Sequence, residues 1–281
     1  MVTGATSGIG AVTAEVLARQ GATVIVVGRC HEKCAAAVDL IRHKTDNLAV
    51  DFLVADLSSQ SEIRRLAQQF EARYQRLDVL VNNAAGIFMK RFQTVDGIEM
   101  TFALNHLAYF LLTKLLLDLI KASAPARIIN VSSCGHELMN EIRFDDLQGR
   151  RNYRGFKAYH QSKLANLLFT YELARRLEGT GVTVNALHPG IVATNIGKNN
   201  GWGWRLLKPL FDPLFHMKYI SPEEGARTVI YLATSPEVEG TTGRYFVEEK
   251  PIVSSQASRD EAAADRLWQV CDEMTTLPFT S

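Results

Sequence analysis

The chain has 281 residues, of which 47% are hydrophobic and 22% are charged, and its net charge is +1. This balance gives no basic surface of the kind that nucleic acid would require, so we expect small-molecule partners. No apolar run reaches the roughly 18 residues of a membrane span, and no charged-then-apolar leader begins the chain, so we expect a cytoplasmic protein. The four cysteines are too few for a disulfide framework, and "CHEKC" lacks the second ligand pair of a zinc site, so we predict no metal.

Short β-branched runs alternate with longer helical patterns. Within each run, apolar residues stand at both odd and even positions, which is typical of strands buried on both faces. The alternation predicts an α/β fold of the Rossmann type: a doubly wound, mostly parallel sheet flanked by helices on both faces, in a single domain over residues 1–281. The predicted strands cover residues 23–28, 49–57, 77–84, 126–133 and 182–190, and the predicted helices include 9–21, 58–74 and 158–179.

Local signals place several ends of these elements. Asp56 and Ser58 can cap the helix that follows them, and Gly21 and Gly179 end two other helices. Only two residues precede the first glycine-rich turn, whereas a strand usually has about five. We therefore expect a stunted or incomplete first strand, which would lower stability rather than alter the chemistry.

The segment "TGATSGIG" opens the first helix with the pattern G-x-x-x-G-x-G. Gly4, Gly8 and Gly10 would let a pyrophosphate approach the backbone N–H groups at the helix N-terminus. An ordinary glycine turn is the alternative, but a position at the start of an alternating α/β chain favours dinucleotide binding.

The end of the second strand indicates which dinucleotide binds. In such folds an acidic residue bonds the ribose 2′-hydroxyl, whereas an arginine accommodates a 2′-phosphate. "VVGRC" places Arg29 there, with no carboxylate before Glu32. We therefore expect NADP(H) as the preferred cofactor; because a lone arginine can also be a solvated surface residue, NAD(H) stays open.

The pattern Tyr-x-x-x-Lys occurs twice in "YRGFKAYHQSK". Gly155 lies inside the first pair, in a segment that predicts a loop, so Tyr153 and Lys157 need not share a face. The second pair begins a helical pattern in which residues four apart lie one above the other. Hydride transfer to a carbonyl requires a proton at the oxygen, and a free tyrosine, with a pKa near 10, is a weak base. We predict Tyr159 as the acid/base, its pKa lowered by Lys163 and an oxidised nicotinamide, and we expect that Tyr153 is dispensable.

Several motifs stand in one order along the chain: "TGATSGIG", "ADL", "VNNAAG", "FALNHLAYFLLT", "INVSS", "AYHQSKLAN" and "HPGIVATNI". In this order and spacing they resemble the short-chain dehydrogenase/reductase family over nearly the whole chain. "DDLQG", "SKLANLLFTYELARRL" and "SPEVEGTTGRYF" are similar to the branch that contains the retinol dehydrogenases and related carbonyl reductases of bacteria and plants. The resemblance implies an oxidoreductase and, as in many relatives, a homodimer.

The resemblance also implies roles for single residues. Lys163 would hold the nicotinamide ribose hydroxyls, and Ser133 would hydrogen-bond the substrate oxygen; capping of a strand end is the alternative for Ser133, and Ser132 is its rival. Asn105 would hold a water that relays protons from Lys163, unless its amide is simply satisfied by backbone. The predicted catalytic residues are Asn105, Ser133, Tyr159 and Lys163.

Other positions match cofactor contacts of the family. Asp56 and Leu57 match the adenine contact, and Thr194 matches the contact to the nicotinamide carboxamide. "VNNAAG" departs from the family pattern because Ala85 stands where a glycine is usual, and a positive φ there would shift the nicotinamide pocket. The predicted cofactor-binding residues are Gly4, Ser7, Gly8, Ile9, Gly10, Arg29, Asp56, Leu57, Asn82, Ala84, Tyr159, Lys163, Pro189 and Thr194.

The segment 195–220 is rich in apolar residues, with Trp204 and Phe211 among them and Pro209 interrupting any helix. In the family this segment is the substrate lid, and its character favours a lipophilic, retinal-like aldehyde or ketone and its alcohol. Core packing, a dimer contact and peripheral membrane contact are the alternatives. A C-terminal helical extension is expected near 256–275. The rival function is a catalytically silent dinucleotide-binding scaffold or redox sensor.

Overall fold

A computed structural model of the chain describes residues 1–192 and 219–276. In this part of the chain the strands form one sheet in the order β3-β2-β1-β4-β5-β6-β7-β8. Every neighbouring pair is parallel except β7 and β8. The predicted Rossmann-type, doubly wound sheet is confirmed. The strands are β1 (Val2–Thr3), β2 (Val24–Gly28), β3 (Val50–Val54), β4 (Val79–Asn82), β5 (Ala126–Val131), β6 (Val182–His188), β7 (Arg244–Val247) and β8 (Lys250–Ile252).

Helices cover both faces of the sheet. One apolar cluster joins the sheet to α3, α5, α7 and α9, and a second joins it to α1, α2 and α8. A π-helical turn, Ala103–Leu107, continues α4 into α5. The helices are α1 (Gly8–Arg19), α2 (His31–Thr45), α3 (Gln60–Glu71), α4 (Met100–Phe102), α5 (Ala108–Leu115), α6 (Leu117–Ala122), α7 (Gly155–Arg176), α8 (Pro222–Thr234) and α9 (Glu261–Thr276).

The sheet order places a crevice where the chain changes direction. β1 pairs with β2 on one side and with β4 on the other, so the helices that follow these strands leave toward opposite faces. In open α/β sheets, ligands bind at the carboxyl ends of the strands beside such a switch point. A ligand site is therefore expected at the carboxyl ends of β1, β4 and β5.

Backbone geometry confirms the predicted C-terminal ends of α1 and α7, whereas the predicted N-terminal cap of α3 is wrong. Gly21 and Gly179 follow α1 and α7 with φ of 84° and 77°, a region that favours glycine. The cap of α3 is Ser59, whose hydroxyl accepts from the Glu62 N–H. Asp56 instead bonds the backbone and hydroxyl of the residue two positions later, because it lies too far before the helix to reach its free N–H groups.

The predicted loop around Gly155 is also partly wrong. α7 begins at Gly155, so Lys157 lies in its first turn and only Tyr153 remains in the loop. A Cβ at Gly155 would lie 2.5 Å from the carbonyl oxygen of Phe88 and 2.7 Å from the Cα of Met89. Glycine is required there because the helix start packs directly on that backbone.

Within residues 1–192 and 219–276, no helix is long and apolar enough to cross a membrane. The C-terminal helix α9 packs on α7, with the Arg176 guanidinium 4.2 Å from the centre of the Trp268 ring. The end of α9 is held by α3, because Gln60 Nε2 and the Arg64 guanidinium donate to the carbonyl oxygens of Met274 and Thr275. This ties the C-terminal segment to the same layer that contains α7.

Candidate active site

The glycine-rich turn lies at the carboxyl end of β1. Gly4 and Gly8 have φ of 65° and 59°, and a Cβ on Gly4 would lie 2.8 Å from the Cα of Ala84. A Cβ on Gly10 would lie 2.6 Å from both the Gly4 carbonyl oxygen and the Asn83 amide nitrogen. The turn therefore packs so closely on its neighbours that side chains at Gly4 and Gly10 would not fit, as the predicted pyrophosphate-binding turn requires.

The N-terminus of α1 is available for an anion. Ser7 is the N-cap residue, is exposed, and makes no side-chain cap hydrogen bond, whereas Ile9 is buried behind it. The first N–H groups of a helix carry a partial positive charge that favours anions. The exposed Arg29 follows β2 directly, and Leu57, which is buried, follows β3, so both lie at the same edge of the sheet.

The two asparagines of "VNNAAG" have different roles. The Asn82 amide is buried in the sheet, where it donates to Thr113 Oγ1 (3.1 Å) and Asn130 Oδ1 (2.9 Å). Asn83, which sequence reasoning did not select, donates from Nδ2 to the carbonyl oxygens of Thr3 (2.8 Å) and Gly4 (3.4 Å). Asn83 and its partners Thr3 and Gly4 lie about 80 residues apart in the sequence, so no local pattern reveals the contact. Only the position of Asn83 next to Asn82 pointed to a role. Asn83 therefore braces the glycine-rich turn.

Ala85 does not have a positive φ. The predicted strain at this departure from the family pattern is therefore absent. The neighbouring Ala84 N–H donates to Thr3 Oγ1 (3.1 Å), which keeps this loop against β1. Alanine is accommodated at this position because its φ is negative, as is usual for residues other than glycine.

Geometry separates the two serines at the end of β5. Ser132 is buried and donates to the Lys163 carbonyl oxygen (2.8 Å), so its hydroxyl is used in packing α7 on the sheet. Ser133 is partly exposed, its hydroxyl accepts from the Gly135 N–H (3.1 Å), and it lies close enough to Tyr159 to lower the pKa of that phenol. The structure thus brings Ser133, rather than Ser132, to Tyr159.

Burial raises the pKa of Tyr159 to about 12, and the neighbouring Ser133 hydroxyl offsets only part of this effect. This shift is upward without the nicotinamide charge that the prediction includes, and the lowering of the pKa by a bound oxidised cofactor stays a prediction. The free energy needed to move a phenolate out of water is larger than the stabilisation that a neighbouring hydroxyl provides. Tyr159 is accordingly a protonated phenol at neutral pH in this arrangement.

Lys163 lies one turn after Tyr159 on α7 and is 1% exposed. Its Nζ donates to the carbonyl oxygen of Val131 (2.8 Å) and lies 5.7 Å from the centre of the Tyr159 ring. Burial lowers the pKa of Lys163 to about 7. The predicted juxtaposition of the two side chains at i and i+4 is therefore present, with the lysine poised near neutrality.

Asn105 lies in the π-helical turn. Its Oδ1 accepts from the Gly86 N–H (2.8 Å), and its Nδ2 donates to the Gly86 carbonyl (2.9 Å) and to Ser162 Oγ (3.1 Å). The side chain is therefore satisfied mainly by backbone, the alternative raised from the sequence. π-turns inside α-helices are often found at functional sites. The water relay at Asn105 stays a prediction.

Two further histidines surround the site. The buried His136 is within 2.7 Å of the Ser133 carbonyl oxygen through Nδ1, and its Nε2 accepts from the Ser255 N–H (3.3 Å). His188 ends β6, and its buried Nδ1 has no partner among the described residues. Pro189 follows it, and Gly190 has a φ of 86°. Sequence reasoning missed both histidines because single histidines near strand ends carry no spacing signal.

Tyr153 lies outside this cluster. Its hydroxyl donates to the Phe88 carbonyl oxygen (2.8 Å) and lies 3.1 Å from Glu99 Oε1 and 3.0 Å from Thr101 Oγ1. It therefore packs the loop before α7. Thr194 and residues 195–218 of the predicted lid lie outside the described residues, and those described contain no group of three or more His, Cys, Asp or Glu side chains that could hold a metal ion.

Comparisons with known proteins agree with this architecture. The chain is 45% identical to human retinol dehydrogenase 14 over 99% of this chain and 86% of that protein, and 42% identical to human polyprenol dehydrogenase over 98% and 84%. The solved structure of the Pseudomonas aeruginosa RhlG/NADP active-site complex is 29% identical, with a TM-score of 0.68 over 87% of this chain and 92% of that one. The family model for short chain dehydrogenases matches residues 1–202. The chain therefore belongs to the short-chain dehydrogenase family, as an oxidoreductase of its retinol dehydrogenase-like branch.

Proposed function

We propose that this protein is an NADP(H)-preferring oxidoreductase that interconverts a lipophilic, retinal-like aldehyde or ketone with its alcohol. The observation that carries the proposal is the meeting of Ser133, from the end of β5, with Tyr159 and Lys163 from α7. These side chains supply a hydrogen-bond donor, an acid/base and a cation at one point beside the switch in strand order.

The residues at the ends of β1 and β2 fit a dinucleotide. Gly4 and Gly8 provide the close-packed turn, and the uncapped N-terminus of α1 at Ser7 provides free N–H groups for a pyrophosphate. When bound, NADPH supplies the hydride that reduces a carbonyl carbon. The exposed Arg29 would recognise the 2′-phosphate, and a related solved structure contains NADP.

Tyr159 would act as the acid in reduction. A phenol whose pKa is raised to about 12 keeps its proton at neutral pH and can donate it to the substrate oxygen. Ser133 would orient that oxygen, and Lys163, with a pKa of about 7, can exchange a proton at the same pH. In the oxidative direction Tyr159 must first lose its proton, which burial opposes.

Exposed apolar side chains on the segments that carry the site support a lipophilic substrate. Phe156 is 46% exposed and lies three residues before Tyr159 on α7, and the exposed Met89 lies against the start of that helix. Leu138, five residues after Ser133, is 71% exposed. Relatives named for retinol and polyprenol act, by those names, on long apolar alcohols. Exposed apolar side chains of this kind are also suited to peripheral membrane contact.

Replacement of Tyr159 by Phe tests the proposal. The variant loses the transferable proton but keeps the ring, so we expect turnover with NADPH and retinal to fall by at least roughly a hundredfold. NADPH binding, followed by its fluorescence on titration, should be retained. Normal turnover by Tyr159→Phe would refute the role of this residue.

The rival function, a silent dinucleotide-binding scaffold or redox sensor, gives a different result. It predicts NADPH binding by the unmodified protein without oxidation of NADPH by any member of a panel that includes retinal, decanal and short aldehydes. Tyr159→Phe would then change nothing that can be measured. Oxidation of NADPH by even one aldehyde, dependent on Tyr159, excludes this rival.

A further inference from the structure

We propose that His106, Asn166 and Cys271 form a buried positioning chain that holds the backbone carbonyl of Asn105, so that the C-terminal helix α9 supports the π-turn of the active site. The proposal rests on the proposed function for the role of Asn105 and adds residues to which the reaction itself gives no role. None of the three touches Tyr159 or Ser133 in the described contacts.

The chain of contacts is continuous. The Cys271 sulfur lies 3.3 Å from His106 Nε2, and His106 Nδ1 lies 2.9 Å from Asn166 Oδ1. Asn166 Nδ2 then donates to the carbonyl oxygen of Asn105 at 2.9 Å. All four residues are 0% exposed. The contacts link α9, the π-turn and α7 across 165 residues of sequence.

The chemistry of the partners fixes the direction of each hydrogen bond. The Asn105 carbonyl oxygen can only accept, so the amide nitrogen of Asn166 faces it and the amide oxygen faces His106. That oxygen can only accept, so His106 carries its proton on Nδ1. Its Nε2 is then an acceptor, and the Cys271 thiol is the donor. Burial lowers the pKa of His106 to about 4 and raises the pKa of Cys271, which keeps both groups neutral.

The imidazole is also fixed sterically. The Phe102 ring lies 5.2 Å away, and the Phe169 ring lies 6.1 Å away at an edge-to-face angle of 85°. His106 therefore has one orientation in which both nitrogens are satisfied. Because a buried polar group without a partner is costly, loss of any one bond would leave the next group free to move.

This chain of hydrogen bonds orients the backbone carbonyl of Asn105. A carbonyl oxygen has two lone pairs, and Asn166 uses one of them, so the other can accept a water or a second donor. In a π-turn the regular i→i−4 bonding is interrupted, and a side-chain donor compensates for it. Asn166 thus determines where this carbonyl points, and Cys271 determines the orientation of His106 behind it.

Four variants test the chain in the full-length protein. Asn166→Leu removes both hydrogen bonds of the amide, Cys271→Ala removes the thiol donor, and Cys271→Ser retains a donor. Leu267→Ala is the matched control, because Leu267 is 1% exposed and lies one turn before Cys271 on α9. It removes apolar contacts without touching the hydrogen bonds.

Hydrogen–deuterium exchange of residues 103–107 is the primary measurement. We expect faster exchange of these amides in Asn166→Leu and Cys271→Ala, near-normal exchange in Cys271→Ser, and no local change in Leu267→Ala even where its melting temperature is lower. With NADPH and an accepted aldehyde, kcat should fall on the order of tenfold in Asn166→Leu, while the Kd for NADPH stays within about twofold.

Unchanged exchange in both Asn166→Leu and Cys271→Ala would overturn the proposal, and so would an equal change in Leu267→Ala. A kcat that follows melting temperature alone across the four variants would also overturn it. If the unmodified protein reduces no aldehyde, the proposed function fails, but the exchange measurement still decides whether the chain positions Asn105.

Discussion

The ammonium nitrogen of Lys163 donates a hydrogen bond of 2.8 Å to the carbonyl oxygen of Val131, so the buried end of a helix side chain is tied to the last residue of β5. Because burial lowers the pKa of this lysine to about 7, its protonation couples to folding. An unfolded lysine has a pKa near 10.4, so between about pH 7 and pH 10 the unfolded chain binds more protons at this position. The free energy of unfolding therefore rises with pH across that window.

Lys163→Met should flatten this dependence. The variant has no titrating group at the position, so its free energy of unfolding should change less between pH 7 and pH 9 than that of the unmodified protein. Urea denaturation at pH 7, 8 and 9 measures the difference. Lys157→Met, which changes an exposed lysine of the same helix, is the matched control. Parallel profiles for the Lys163 variant and the unmodified protein would contradict the burial effect.

Tyr153→Phe should separate stability from catalysis. The change removes a hydroxyl that bonds the Phe88 carbonyl oxygen and contacts Glu99 and Thr101, so we expect a loss of about 1–2 kcal/mol in the free energy of unfolding. Turnover should be close to normal because Tyr153 lies outside the proposed catalytic cluster. Thermal unfolding and NADPH oxidation measure the two effects. A variant with normal stability but reduced turnover would place Tyr153 in the reaction.

The elements that the sequence predicts well are those with local causes. Strands such as Val24–Gly28 and Ala126–Val131 are buried on both faces, so their composition alone identifies them. The pairing of Tyr159 with Lys163 follows from helical spacing. The short β1 also agrees with the stunted first strand that the sequence predicts. Its pairing with strands 24 and 79 residues further along the chain, however, is not visible in a local pattern.

The parts of the site that escaped prediction depend on contacts between distant segments. The π-turn around Asn105 has an ordinary apolar sequence, and its geometry arises from bonds to Gly86 and Asn166. The burial that raises the pKa of Tyr159 is likewise not visible in the sequence, because spacing shows neighbouring charges but not burial. Local patterns therefore identify candidate groups, whereas their electrostatic state depends on tertiary packing.

Arg29→Asp should change cofactor preference. The exposed arginine follows β2 at the position that faces the adenosine ribose in dinucleotide folds. An aspartate there would repel a 2′-phosphate and can accept from a 2′-hydroxyl, so we expect the preference for NADPH over NADH to fall by roughly 10- to 100-fold. The ratio of kcat/KM for the two cofactors measures it, and Arg154→Asp, an exposed change at the start of α7, is the control. An unchanged ratio would remove Arg29 from cofactor recognition.

Asn83→Ala should weaken cofactor binding without altering the chemical step. Its amide nitrogen donates to the carbonyl oxygens of Thr3 and Gly4 and lies where a Cβ on Gly10 would be 2.6 Å away, so it fixes the turn proposed to bind pyrophosphate. Loss of these bonds should raise the Kd for NADPH by about tenfold, and kcat at saturating NADPH should stay within about twofold. Fluorescence titration and steady-state kinetics measure the two quantities.

Asn47 offers a close control for this prediction. Its amide nitrogen also donates to two backbone carbonyl oxygens, those of Ala18 (2.8 Å) and Ala22 (2.9 Å), but at the opposite end of α1. Asn47→Ala should therefore lower the melting temperature as Asn83→Ala does, while the Kd for NADPH stays unchanged. If both variants weaken NADPH binding equally, the effect comes from general loosening of α1, and Asn83 has no specific role at the turn.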